Sequence, residues 1–145
     1  MPPARLLRSA FALLLVTVAA ACSSLPPYRA PVASDKTATV DVSRINANSI
    51  CVNGELYGIG SVPNKQLIVP TDSRVAIYAW VYISEYYSNY SCMPGISFRP
   101  KPGANYLMNL ELQSDVCVIE VYRKDDAMPL GLDIERTSGP ARLCN

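Results

Sequence analysis

Downstream of residue 36, hydrophobic and polar residues alternate with a period of two along most of the chain. Ala38, Val40 and Val42 alternate with Thr39, Asp41 and Ser43, the pattern of a strand with one face buried and one face wet. Ile50-Cys51-Val52 and Glu55-Leu56-Tyr57 flank Asn53-Gly54, a dipeptide suited to a type I′ hairpin because both central residues take positive φ. Gly58, Gly60 and Pro63 interrupt the pattern, and Leu67-Ile68-Val69 gives a short strand ending at Pro70. Residues 74–83 form the longest predicted strand. Val75, Ile77, Ala79, Val81 and Ile83 share one phase, and Ala76, Tyr78, Trp80 and Tyr82 share the other. Ile96-Ser97-Phe98 is closed by Pro100, and Pro102-Gly103 makes a turn. Tyr106, Met108, Leu110 and Leu112 then alternate with Asn105, Asn109 and Glu111. Residues 116–122 put Cys117, Ile119 and Val121 on one face. A loop with Asp125, Asp126 and Pro129 leads to a last edge strand within 130–135. No window has helical spacing. Seven or eight short strands separated by turns predict an all-β chain, a small antiparallel β-sandwich over residues 37–145.

The N-terminus follows a different rule. Residues 1–9 carry Arg5 and Arg8 and no acid, and residues 10–21 are apolar except for Thr17. A membrane-spanning helix needs about 20 apolar residues, so this shorter run fits the basic and apolar regions of a secretory signal peptide over 1–21. Ala19-Ala20-Ala21 followed by Cys22-Ser23 resembles the lipobox of bacterial lipoproteins, with Ala19 where Leu is commonest. That resemblance implies diacylation of Cys22 and cleavage before it. Ser23, in place of Asp, implies sorting to the outer membrane, facing the periplasm. Two or three acyl chains anchor stably where one binds marginally. The alternative is ordinary cleavage after Ala21, leaving a free N-terminal cysteine. Residues 22–36 then read as a lipidated Cys22 and a Pro-rich tether, with Pro26, Pro27 and Pro31 favouring extended backbone.

Composition narrows the chemistry. The 145 residues hold 13 Lys+Arg against 12 Asp+Glu, five Cys and no His. The length suits one domain, and the balanced charge gives no reason to expect nucleic acid as a partner. Lack of histidine removes Ser-His-Asp and Cys-His arrangements and histidine metal sites. Five cysteines are odd for an exported chain, but a lipidated Cys22 leaves Cys51, Cys92, Cys117 and Cys144, an even set in an oxidising compartment. Three pairings remain open on sequence alone. The favoured one joins Cys92 to Cys117 and Cys51 to Cys144, the first closing a loop worth about 3.5 kcal/mol on chain-entropy grounds. A redox or zinc role would call for Cys-x-x-Cys or histidine, and neither is present. No metal and no cofactor are expected.

Residues 50–58, followed by Pro63, Leu67-Ile68-Val69-Pro70 and residues 74–78, resemble the PEGA-type domain, a small bacterial β-sandwich. Val69-Pro70-Thr71-Asp72 stands near the place of that family's name-giving tetrapeptide. Cys92, Ile96-Ser97-Phe98, Gly103, Tyr106 and Cys117 are similar to a pattern shared by a group of proteobacterial envelope lipoproteins. Neither resemblance implies catalytic residues.

Nine tyrosines are present, and Tyr78, Trp80, Tyr82, Tyr86, Tyr87 and Tyr90 fall within 13 residues. If the aliphatic phase of this strand fills the core, the aromatic phase is left as a binding surface, since rigid amphipathic rings anchor interfaces and stack on sugars. The plainer alternative is a central strand covered on both faces, or tyrosine pairs that only stabilise the sheet. Asp125 with Asp126, and Asp133 with Glu135, read as solvated loop and edge charges. The expected protein is therefore not an enzyme. It is a non-catalytic periplasmic lipoprotein, held to the membrane by its lipid, that acts as a structural module or binds an envelope protein. Two other classes use the same features: a cell-wall or glycan-binding module, and an inhibitor or immunity protein against an exported enzyme.

Overall fold

The computed structural model describes residues 24–84, 86, 88–113, 116–142 and 144. The signal segment, Cys22 and Tyr87 lie outside the described residues. Within them the chain is all-β, with one 3-10 turn at Pro63–Lys65. The strands are β1 (Thr37–Arg44), β2 (Ala47–Val52), β3 (Glu55–Gly58), β4 (Gln66–Pro70), β5 (Val75–Ala79), β6 (Val81–Ser84), β7 (Asn89–Cys92), β8 (Gly95–Phe98), β9 (Asn105–Gln113), β10 (Val116–Lys124), β11 (Leu132–Ile134) and β12 (Gly139–Pro140).

Two five-stranded sheets form a sandwich. One has the order β11-β10-β9-β1-β4 and the other β12-β8-β5-β2-β3, while β6 and β7 make a separate two-stranded ribbon. Pairing is antiparallel except between β1 and β9, which run parallel. The expected β-sandwich is present. The core is the alternating set read from sequence: Val40, Val69, Tyr106, Met108 and Val121 from the first sheet meet Ile50, Val75, Ile77 and Phe98 from the second, all fully buried. Phe98 and Tyr106 touch across the sheets with ring centroids 5.0 Å apart, a favourable aromatic separation. The Asn53-Gly54 turn takes φ 52° and 80°, as a type I′ hairpin requires.

Three local expectations change. The predicted strand over 74–83 is two strands, broken at Trp80. Its partner explains the break. Tyr78 pairs with Gly95 in β5–β8, and Val81 pairs with Cys92 in β6–β7, so one register runs through both. At the junction stands Pro94, which accepts from the Ala79 N–H at 3.0 Å but has no N–H to return. The ladder to the partner strand lapses there, while on the other side Trp80 continues the β2 pairing by donating to the Asn46 carbonyl.

The Pro-rich segment read as a tether is docked in its middle. Gly58 donates to the Pro26 carbonyl at 2.8 Å and accepts from the Tyr28 N–H at 2.9 Å, a parallel bridge centred on Pro27. The Tyr28 hydroxyl donates to the Ile68 carbonyl of β4, so this strap joins the edges of both sheets. Docking also caps an open sheet edge.

Glu135, expected as a solvated charge, is 3% exposed. It accepts the N–H and O–H of Thr137 and faces the Tyr106 hydroxyl. Asp133 is half-buried beside Arg123, which lies between it and Asp125 at 3.3 and 3.5 Å.

Candidate functional site: an aromatic ribbon outside the sandwich

Both disulfides of the favoured pairing form: Cys51–Cys144 and Cys92–Cys117. They do different work. Cys51–Cys144 fixes the C-terminal segment over the outer face of the second sheet, where Ala141 donates to the Gly95 carbonyl. Cys92–Cys117 joins the base of the ribbon to β10 in the other sheet. The ribbon is thus held at its root by strand continuity from β5 and β8 and by a covalent bond to β10.

The predicted aromatic surface divides at the Pro94 break. Tyr78 is half-buried. Its hydroxyl donates to the Arg142 carbonyl at 2.8 Å, and burial pushes its pKa up. Its ring lies over Gly95 so closely that a Cβ there would sit 2.5 Å from the ring and 3.0 Å from the Ala141 side chain. Tyr78 is therefore packed under the C-terminal segment and does not belong to an open surface. Trp80 and Tyr82, on the same strand phase, are 45% and 59% exposed, and Tyr86 is 92% exposed. Tyr90 is half-buried, its hydroxyl 3.7 Å from the Cys117 sulfur.

The aliphatic phase of the ribbon strand faces inward as expected, with Val81 buried and Ile83 half-buried. Trp80, Val81 and Tyr82 form one wall of an open hollow of about 470 Å³, completed by the residues joining β1 to β2 and by Leu110 of β9. Beside the ribbon, Met93, Leu112 and Val116 are exposed; Leu112 pairs with Cys117 and so lies next to the disulfide. Leu112 and Val116 come together through the β9–β10 pairing, and the Cys92–Cys117 bond adds Met93 beside them, a juxtaposition the sequence pattern does not show. A second apolar patch, Met128, Leu130 and Ile134, surrounds β11 and was also missed. It has no aromatic ring at its exposed crest.

Elsewhere the tyrosines are structural. The strap residue Tyr28 has its pKa pushed to about 12 by burial and then by neighbouring Tyr57. Tyr122 reaches about 12 through its hydrogen bond to Glu120 and then burial. Among the described residues no group of three or more Cys, Asp or Glu side chains could hold a metal ion, and no helix is long and apolar enough to cross a membrane. Comparison with protein families, curated proteins and solved structures finds no match to this chain.

Proposed function

We propose that this chain is a non-catalytic lipoprotein of a bacterial envelope, anchored by Cys22 to the outer membrane on its periplasmic side, with a PEGA-like β-sandwich that binds another envelope protein. The observation that carries the binding role is the exposure of Trp80 and Tyr82 on a ribbon braced by a disulfide. Large aromatic rings left in water forgo burial worth roughly 1.5–3 kcal/mol each, and a partner surface recovers it. Bracing matters because a ribbon already held in shape loses less conformational entropy on binding. Exported, lipid-anchored and lacking a histidine-based catalytic set, the chain fits a module that positions or holds a partner.

The test is a photo-crosslinking residue placed at Tyr82 or, for comparison, at Ile134 in intact cells. A discrete protein adduct from position 82, and none from 134, is expected. Adducts confined to cell-wall material would transfer the role to glycan binding. Equal adducts from both positions would remove the ribbon's special status.

A further inference from the structure

The outer face of the second sheet carries a group of arginines that no carboxylate balances. We propose that Arg74, Arg142 and Arg99 form a binding site for a phosphate monoester, separate from the aromatic ribbon and independent of the lipid anchor. At its centre is a hollow of about 410 Å³ where the sheet meets the C-terminal segment, lined by Asn53, Arg74, Ser97, Arg142 and the Cys51–Cys144 disulfide. Among the described residues none of the lining side chains is acidic. The ion pairs among those residues are the ones Arg123 makes with Asp125 and Asp133, so none neutralises Arg74, Arg99 or Arg142. Arg74 precedes β5 and Trp80 follows it, which sets the two sites about 20 Å apart along the strand.

Arg74 is already fixed. Its Nε donates to the Ser97 hydroxyl at 3.0 Å, and its Nη2 donates to the Ser97 carbonyl at 3.1 Å and the Thr137 carbonyl at 2.6 Å. These bonds clamp the guanidinium between β8 and the chain leading into β12, and they leave the N–H groups of Nη1 to offer. Arg142 is held through its backbone. Its carbonyl accepts from Tyr78, Ala141 before it donates to the Gly95 carbonyl, and Cys144 beyond it is disulfide-bonded. Arg99 stands beside Arg74: its N–H donates to Thr137 Oγ1 at 3.0 Å, on the residue whose carbonyl Arg74 holds. The Val75–Phe98 pair continued by one step also sets Arg99 opposite Arg74. Like charges across a strand pair repel, and an anion relieves that repulsion. A structural staple accounts for Nε and Nη2 of Arg74, but not for its remaining edge or for Arg142 and Arg99. Guanidinium groups bind phosphate through paired N–H···O bonds, and a dianion matches two arginines where a carboxylate matches one. The hollow is larger than a bare phosphate and falls in the range of small-molecule pockets, which calls for phosphate carried on a small molecule.

The probes are glycerol 3-phosphate, inorganic phosphate and glycerate, each titrated into the full-length protein while the arginine Nε–H signals are followed by NMR. Saturable shifts of the Arg74 signal are expected with glycerol 3-phosphate, and severalfold weaker binding with inorganic phosphate. Equal affinity for inorganic phosphate supports the site and assigns it to the free ion. Glycerate, with a carboxylate in place of the phosphate, should bind about tenfold more weakly or less. Arg142→Gln keeps the backbone bonds of the C-terminal segment and should weaken glycerol 3-phosphate by about tenfold. Arg99→Gln should weaken it severalfold, and Lys65→Gln, an exposed cation on the 3-10 turn, should leave it unchanged. An Arg74 signal that does not shift, or undiminished binding by Arg142→Gln, overturns the site. Glycerate bound as tightly as glycerol 3-phosphate overturns the phosphate assignment.

Discussion

Tyr78 and Trp80 stand two residues apart on the same phase of one hairpin strand, and they meet opposite fates. Tyr78 lies beside Ala141 over Gly95 and is bonded to the Arg142 carbonyl. Trp80 lies past the Pro94 break, where the strand has left its sheet and the C-terminal segment no longer covers it. Period-2 alternation says which side chains share a face. It does not say which later segment of chain covers that face. Cover here is assigned by Cys51–Cys144, and the lack of cover is stabilised by Cys92–Cys117.

The contrast can be broken at each support. Removing Cys51–Cys144 by a double alanine substitution opens a sequence separation of 93 and should lower unfolding free energy in urea by about 4.6 kcal/mol. It should also raise hydrogen exchange around Gly95 and Ala141. Removing Cys92–Cys117, with a separation of 25, should cost about 3.5 kcal/mol and loosen the ribbon while leaving Tyr78 protected. If the two variants show the same exchange pattern, the division of labour between the bonds is wrong.

Gly95→Ala tests the covered half alone. The new methyl meets the Tyr78 ring at 2.5 Å, and overpacking of this kind costs about 1–3 kcal/mol. A melting curve unchanged from the parent would mean the Tyr78 roof is loose. Adding Tyr78→Ala should recover part of the loss.

Tyr28→Phe sharpens the role of the strap. Loss of its bond to the Ile68 carbonyl should cost about 0.5–1.5 kcal/mol at neutral pH. The folded state holds the Tyr28 pKa at about 12, above its ordinary 10.0. Its contribution is therefore complete below pH 10 and is lost as pH rises from 10 toward 12. Alkaline titration of stability should be shallower in Tyr28→Phe than in the parent across that window. Tyr122 contributes in the same direction and serves as the internal reference.

Much of this was legible in the residues. The alternating segments, the Asn-Gly hairpin and the inward aliphatic phase of residues 75–83 follow from steric and hydrophobic rules that act over a few residues. The ribbon was hidden because its cause, Pro94, sits on the partner strand, where a missing donor matters only once the register is known. The roof over Tyr78 depends on a contact 64 residues away in sequence, and burial of Glu135 depends on Thr137 and Tyr106 meeting it. Pro26 and Pro27 signalled extended backbone correctly. Their docking depended on Gly58, an edge position with no side chain to keep another strand away.

The smallest effect on stability should accompany the largest effect on binding. Trp80→Ala/Tyr82→Ala should cost at most about 1 kcal/mol, because both rings already keep about half their surface in water. The decisive measurement is the affinity of this double variant for the protein crosslinked at position 82, with Met128→Ala/Leu130→Ala from the second patch as the comparison. A loss of tenfold or more, about 1.4 kcal/mol, in the ribbon variant and not in the other is the expected result. Undiminished affinity in the ribbon variant would contradict the assignment of this aromatic ribbon as the binding surface.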